Sequence, residues 1–321
     1  MSDMAKSAEG EPEGLVKDAI LIAGPTASGK SALALAIARL TGGTIINTDS
    51  MQVYGILNVL SARPGPAELL AAPHHLYGHI DPGELYSTGR WVADVRRLRG
   101  EGVFDANRPI FVGGTGLYFR ALAGGLSEMP EIPNTIRDRW RYRLTEEGPG
   151  KLYQILMSED SRAAMTLSAG DSQRVLRALE VLQASGRSIL DWQAEKGLPL
   201  VDHTTARCLV LEPDRAVLTE RINARFDRML DAGGLAEVEA LTALNLDPAL
   251  PAMKAIGVRE LQSAIAGAMP FDEAIERGKI STRQYAKRQS TWFRNQLGPD
   301  WTRIASNGPI NAPKLAANFF S

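Results

Sequence analysis

DAILIAGPTASGKSALALAIARL, residues 18–40, decides the fold. Its opening is a short apolar run closed by Gly24, the pattern of a strand buried on both faces. Its last part repeats Ala, Leu and Ile at helical spacing until Thr41-Gly42-Gly43 stops it. Between the two lies GPTASGKS, which fits GxxxxGK[ST] in the context that gives this pattern a mechanism: after a strand and opening a helix. Gly24, Pro25, Thr26, Ala27, Ser28 and Gly29 then form a loop whose backbone N–H groups converge on phosphate oxygens. The helix N-terminus adds positive potential, Lys30 reaches a terminal phosphate, and the Ser31 hydroxyl can ligate magnesium. A bound phosphate is expected. The loop does not say which phosphate, or whether it is transferred or expelled.

Outward from this stretch the alternation recurs. GTIINTD (43–49), HHLYGHI (74–80), RPIFVGG (108–114) and RCLVLEP (207–213) read as further strands, and STGRWVADVRRLRGEG (87–102) as a helix capped by Ser87 or Thr88. Strands alternating with helices predict an α/β fold, a P-loop NTPase-like parallel sheet core with helices on both faces. Between 127 and 203 amphipathic helical segments replace the alternation, which predicts a helical insertion subdomain. The expected division is a polar, disordered leader over 1–17, a core over 18–126 and 204–321, and the insertion over 127–203. After the fifth strand the chain reads as helical, ending in a long final helix near 272–297.

Composition narrows the classes. The 321 residues are 44% hydrophobic and 23% charged, as in an ordinary soluble globular protein. The single cysteine, Cys208, excludes a disulfide framework and a Cys-based zinc finger; placed in a strand, it reads as an inert core thiol. No apolar run approaches the roughly 20 residues that span a bilayer, and the N-terminus lacks a signal-type apolar core, so no membrane partner and a cytoplasmic location are expected. A net charge of −1 advertises no polyanion, but its distribution does. Residues 277–299 carry six basic side chains and no acidic one, and RDRWRYR (137–143) carries four arginines with Trp140 and Tyr142 interleaved. Such local faces bind a polyanion or are simply solvated helix surfaces; charge alone does not choose. His74, His75 and His79 lack the acidic partner that a metal site would need, and no metal is expected there.

At the carboxyl edge of a parallel sheet, where ligands bind, INTDSMQVY (46–54) offers Asp49 and Ser50, and VGGTGLYFRAL (112–122) offers Thr115. Asp49 there can be a magnesium ligand, a general base or a helix N-cap. A small-molecule kinase would also need an arginine-rich lid or a late acid, for which Glu212 and Asp214 are weak candidates.

Taken in order, GPTASGKS, DSMQVY, GGTGLYFRAL, DSQRVLRALEV, KAIGVRE and YAKRQSTWFRNQ resemble the tRNA dimethylallyltransferase family over about residues 18–301. The resemblance implies that the cradle holds the diphosphate of dimethylallyl diphosphate and that no ATP is used. The prenyl group would go to the exocyclic amine of the adenine 3′-adjacent to the anticodon, in tRNAs reading codons that begin with U. It implies Asp49 as the base, Thr115 near the reacting centre, and Arg225, with Arg221 second, facing the leaving diphosphate alongside Lys30 and Mg²⁺ on Ser31. RNA contacts are implied for Asp49, Ser50, Met51, Gln52, Thr115, Arg137, Gln173, Arg174, Val175, Leu176 and Arg177. They continue through Lys254, Gly257 and Arg259, then Lys287, Arg288, Gln289, Trp292 and Arg294. Trp292 and Phe293 are expected to pack a helix face more than to stack on bases. The target base must leave its stack in the anticodon loop.

One loop departs from the pattern. After DSMQVY the family continues with an arginine and Asp-Ile-Gly-Thr-Ala-Lys-Pro, whereas this chain reads GILNVLSARP (55–64), so no contact is carried over there. Three rivals stand beside prenyl transfer to tRNA: prenylation of free adenine nucleotides, a P-loop small-molecule kinase, and a P-loop RNA-binding protein without chemistry. A monomer is expected.

Overall fold

The computed structural model describes residues 14–195, 197–306, 308 and 311–320. β1 (Ile20–Ala23) runs through the cradle into α1 (Lys30–Thr41), which Gly42 ends in the left-handed region at φ 67°. There follow β2 (Thr44–Asn47), α2 (Pro66–Ala71), β3 (His74–His75), α3 (Thr88–Gly100), β4 (Pro109–Gly113) and α4 (Gly116–Gly124). Four helices come next, α5 (Asn134–Glu159), α6 (Ser161–Met165), α7 (Ser172–Ser185) and α8 (Ile189–Ala194). The chain then forms β5 (Arg207–Pro213), α9 (Arg215–Asp231), α10 (Gly234–Ala243), α11 (Val258–Ile265), α12 (Phe271–Gln296), β6 (Thr302–Ser306) and α13 (Ala312–Phe320).

The six strands make one sheet in the order β3-β2-β4-β1-β5-β6, with every neighbouring pair parallel. Since β2 and β3 lie to one side of β1 and β5 and β6 to the other, the winding reverses beside β1. The crevice at the carboxyl ends there is the expected ligand position. Side chains alternate across the sheet. Ile20, Ile22, Ile110, Val112, Leu209 and Leu211 meet Leu33 and Ile37 of α1 and Ala312 and Ala316 of α13. On the other face Phe111 meets Trp91 of α3, Trp91 stacks on Tyr118 of α4 at 4.3 Å, and Phe119 meets Phe293 of α12. Each such large apolar side chain contributes about 1.5–3 kcal/mol by leaving water, so both helical layers are firmly seated. Cys208 is buried in β5, and burial pushes its thiol up to about 12, as befits an inert core residue.

The chain divides into two compact units, Met1–Ala123 with Leu200–Ser321, and Gly124–Pro199. The second is all helical among the described residues and packs Trp140, Leu152, Leu156, Val175, Leu179 and Val181 into its own core. Gly148, at φ 78° and ψ 166°, kinks α5 just before Pro149. This unit starts and ends a few residues earlier than the 127–203 expected.

Several expectations need correction. The strand expected over 74–80 is only two residues long, because Leu76 (φ 63°) and Gly78 (φ 59°) turn the backbone left-handed. The long helix near 272–297 is not final: β6 and α13 follow it. Of the leader expected over 1–17, residues 1–13 lie outside the described residues. Val16, however, is buried and bridged to Val201, with its N–H donated to the Leu200 carbonyl at 2.8 Å. No helix among the described residues is long and apolar enough to cross a membrane.

Candidate active site

The cradle is a strained loop. Ala27 takes φ 62° although it has a Cβ, and Gly29 takes φ 94° as the N-cap of α1; backbone held in this region marks functional loops. Gly24 has no room for a side chain, since a Cβ would lie 2.7 Å from Ser28 Oγ and 3.2 Å from Leu211 Cβ. Ser28 N–H closes the turn onto the Pro25 carbonyl at 3.2 Å. Lys30 is buried and its Nζ bends back to the same carbonyl at 3.4 Å, while Ser31 is exposed.

Asp49 is mounted by a residue the sequence did not announce. Asn47, fully buried at the end of β2, accepts Asp49 N–H through Oδ1 at 2.8 Å. Its Nδ2 donates to the carbonyls of Asp49 and Leu76 at 2.9 and 3.0 Å. Trp91 Nε1 in turn donates to the Asn47 carbonyl at 2.9 Å. The turn after β4 closes against this loop: Thr115 N–H donates to the Thr48 carbonyl at 3.1 Å, and Ser50 N–H donates to Thr115 Oγ1 at 2.9 Å. Gly113 allows that approach, because a Cβ there would sit 2.2 Å from the Thr48 carbonyl.

Cradle and carboxylate open into one cavity of about 300 Å³. Its polar wall includes Thr26, Asp49, Ser50, Arg225 and Arg288; its apolar wall includes Met51, Leu60, Ile222, Phe226 and Met229. Arg225 of α9 reaches the cradle by donating to Thr26 Oγ1. The field is cationic. Burial pushes Lys30 down to about 8, with Asp49 pulling it up and Arg225 pushing it further down. Burial likewise brings Arg225 down to about 10 against the pull of Asp49. Two desolvated cations share the one Asp49 carboxylate, and the excess positive charge suits a phosphate. Tyr285 of α12 also lines the cavity; burial, then the Asp49 charge, pushes its hydroxyl pKa upward.

The other expected residues divide. Arg221 does not line this cavity and donates to the Gly308 carbonyl at 2.5 Å. Lys254 lines the cavity and is exposed. Gly257 caps α11 at φ 94°, and Arg259 donates to the Pro248 carbonyl at 3.3 Å. Gln52 binds the carbonyls of Ser61 and Ala62 at 2.8 and 3.0 Å, holding the divergent loop rather than projecting from it. On α12, Lys287, Arg288, Thr291, Trp292 and Asn295 share one face and line a groove of about 490 Å³. Trp292 packs on Gly116, where a Cβ would come within 2.3 Å of its ring. Gln289 is on the opposite, buried face, a correction to its place among presented RNA contacts. In the helical unit Gln173 and Arg174 are exposed and Arg137 and Arg177 half-buried. Val175 and Leu176 face the core, so their side chains are not presented to a ligand.

The basic clusters are also smaller than their composition suggests. Arg277 pairs with Glu273 at 2.6 Å, Lys279 with Asp227 at 2.8 Å, and Arg143 with Glu147 at 2.5 Å. Lys287, Arg288 and Arg294 stay exposed. The two late acids are consumed as well. Glu212 pairs with Arg303, and Asp214 caps α9 by accepting from Ala216 N–H at 2.7 Å. His79 pairs with Asp94 at 3.4 Å, and no cluster of three or more His, Cys, Asp or Glu side chains able to hold a metal occurs among the described residues.

The family model for IPP transferase matches residues 52–296, and that for isopentenyl transferase matches residues 17–77. The chain is 65% identical to the tRNA dimethylallyltransferase of Mesorhizobium japonicum over 304 residues, 95% of this chain and 94% of that one. Among solved structures, a eukaryotic dimethylallyltransferase acting on tRNA superposes with a TM-score of 0.79 at 27% identity, covering 95% of this chain and 79% of that one. The tRNA isopentenylpyrophosphate transferase of Bacillus halodurans superposes with a TM-score of 0.67 at 29% identity, covering 95% of each chain.

Proposed function

The chain belongs to the IPP transferase family, and from that premise we propose that it is a tRNA dimethylallyltransferase. It moves the dimethylallyl group from dimethylallyl diphosphate to the exocyclic amine of the adenine 3′-adjacent to the anticodon, in tRNAs reading U-starting codons, and releases diphosphate. One observation carries the reading: the phosphate cradle and a half-apolar cavity share Thr26 and Arg225, with the Asp49 carboxylate in the same wall. A diphosphate in the cradle thereby places its five-carbon chain against Ile222 and Phe226 and within reach of a carboxylate.

The adenine amine is a poor nucleophile because its lone pair is shared with the ring. Asp49 accepts a hydrogen bond from that amine and takes its proton as the C–N bond forms, help worth about 10²–10⁴ in rate. Lys30, Arg225 and the cradle amides meet the charge that grows on the departing diphosphate, and the apolar wall keeps water from capturing the allylic carbon. Magnesium fits as an ion carried by the substrate. The chain offers the Ser31 hydroxyl and, among the described residues, no multi-carboxylate cage, and Mg²⁺ commonly keeps water and phosphate oxygens as most of its ligands. It would neutralise diphosphate charge. Lys254, Lys287, Arg288 and Arg294 in the first unit, and Arg137, Gln173, Arg174 and Arg177 in the helical unit, supply the RNA contacts. The protein works as a cytoplasmic monomer.

Consumption of Glu212 and Asp214 in structural contacts weakens the kinase rival. The test is incubation with labelled dimethylallyl diphosphate, magnesium and unmodified tRNA, followed by nucleoside analysis, with Asp49→Ala alongside. Label on the expected adenosine, lost in the variant while tRNA still binds, supports the reading. Label on AMP but not tRNA would decide for nucleotide prenylation, and phosphate transfer from ATP for a kinase.

A further inference from the structure

Gln289 lies in the α12 stretch expected to meet RNA, yet it is only 5% exposed. Both ends of its amide are engaged inside the protein. Oε1 accepts the Thr26 N–H at 2.8 Å, and Nε2 donates to the Gly114 carbonyl at 2.9 Å. The partners fix the orientation of the amide, since a backbone N–H can only donate and a carbonyl can only accept. Thr26 belongs to the cradle and receives Arg225 on its hydroxyl. Gly114 precedes Thr115 and lies beside the carboxylate: a Cβ on it would be 2.2 Å from Gln289 Nε2 and 3.4 Å from Asp49 Oδ2. One side chain therefore spans the loop after β1 and the loop after β4, which carry the two halves of the chemistry.

We propose that Gln289 is a positioning residue that ties the Thr26 amide of the cradle to the turn before Thr115. It thereby sets the separation between the held diphosphate and the Asp49 carboxylate, and it makes no contact with RNA. The proposal rests on the prenyl-transfer reading of this site. It also means that the Thr26 N–H is not among the amides free to bind phosphate. Without Gln289 that N–H and the Gly114 carbonyl lose their partners, and the loop carrying them loses its fixed distance from Asp49.

The test separates the two ligands. Gln289→Ala is compared with Gln289→Met, which keeps the volume and removes both hydrogen bonds, and folding is checked by thermal melts. Inorganic pyrophosphate with Mg²⁺ is titrated by calorimetry, and unmodified tRNA by filter binding. Loss of the buried bonds is expected to weaken pyrophosphate binding roughly ten- to hundredfold and to lower kcat, with tRNA Kd unchanged. Gln289→Glu, which keeps an acceptor for Thr26 but turns a carboxylate oxygen toward the Gly114 carbonyl and the nearby Asp49 carboxylate, is expected to weaken pyrophosphate binding at least as much as Gln289→Met. If Gln289→Ala does not fold, Gln289→Met carries the same comparison. Weakened tRNA binding with pyrophosphate Kd unmoved, or neither constant moved, would overturn the proposal. Failure of the wild type to label tRNA while it still binds pyrophosphate removes the tRNA reading and leaves the Gln289 result standing.

Discussion

Lys30 shows most clearly how function opposes stability in this protein. Burial lowers its amine from 10.5 to about 8, with Asp49 and Arg225 acting in opposite senses. Because the folded pKa lies below the unfolded one, the unfolded chain holds more protons between pH 8 and 10.5. The stability of the ligand-free protein therefore rises with pH across that window. At pH 7 the charged, buried amine costs about 3 kcal/mol. A bound diphosphate reverses the balance by raising the pKa, so its affinity falls about tenfold per pH unit above pH 8 until the pKa of the bound form is reached. Lys30→Met should raise the ligand-free Tm at pH 7, flatten its rise toward pH 10, and abolish pyrophosphate binding. Melts and calorimetry on the same samples check this; a Tm unchanged at pH 7 would mean that the amine is hydrated in the free protein.

At the scale of elements, the divergent loop 55–64 is held by a helix far along the chain. The Glu237 carboxylate of α10 accepts three successive amides, Asn58 and Leu60 at 3.0 Å and Val59 at 2.6 Å. A run of N–H groups on one anion is a nest, and this one sets Leu60 and Ser61 into the cavity wall. Leu60 leans on two glycines: a Cβ would lie 3.1 Å from its Cδ2 at Gly234 and 3.9 Å at Gly257. Glu237→Ala should cost about 1–3 kcal/mol, speed hydrogen exchange at amides 58–60 above all others, and raise KM more than it lowers kcat. Exchange that stays slow at those three amides would mean that the loop is held by its other bonds, among them Arg63 to the Tyr54 carbonyl at 3.1 Å. None of this was legible in GILNVLSARP, because the partner is 177 to 179 residues away. The cradle was legible because strand, loop and helix are contiguous and every signal is local. Asn47 and Gln289 fall on the other side of that line, as polar residues whose meaning depends on distant backbone.

At the scale of the molecule, the parallel core followed from the alternation of strands and helices, whereas β6 did not. TRIAS is a partly exposed edge strand without a continuous apolar run, so only its pairing with β5 identifies it. The ends of the helical unit Gly124–Pro199 suggest how to test its role. The chain leaves and re-enters the first unit at neighbouring backbone. Leu200 and Val201 N–H both donate to the Leu122 carbonyl, at 3.0 and 3.1 Å, and Val201 is bridged to Val16. Replacing residues 124–199 by a short Gly/Ser linker therefore asks little of the core, whose sheet and cavity residues all lie outside that span. The shortened protein should fold and bind pyrophosphate as the full chain does, and lose tRNA affinity. If Arg137, Arg174 and Arg177 each neutralise a phosphate, the slope of log K against log salt should shrink by about 2–3. Arg137→Ala, Arg174→Ala and Arg177→Ala combined in the full chain should give the same change in slope without altering the fold. An unchanged slope in both proteins would place RNA recognition on the α12 face alone. A changed slope in the shortened protein but not in the substituted one would assign the contact to other residues of the helical unit.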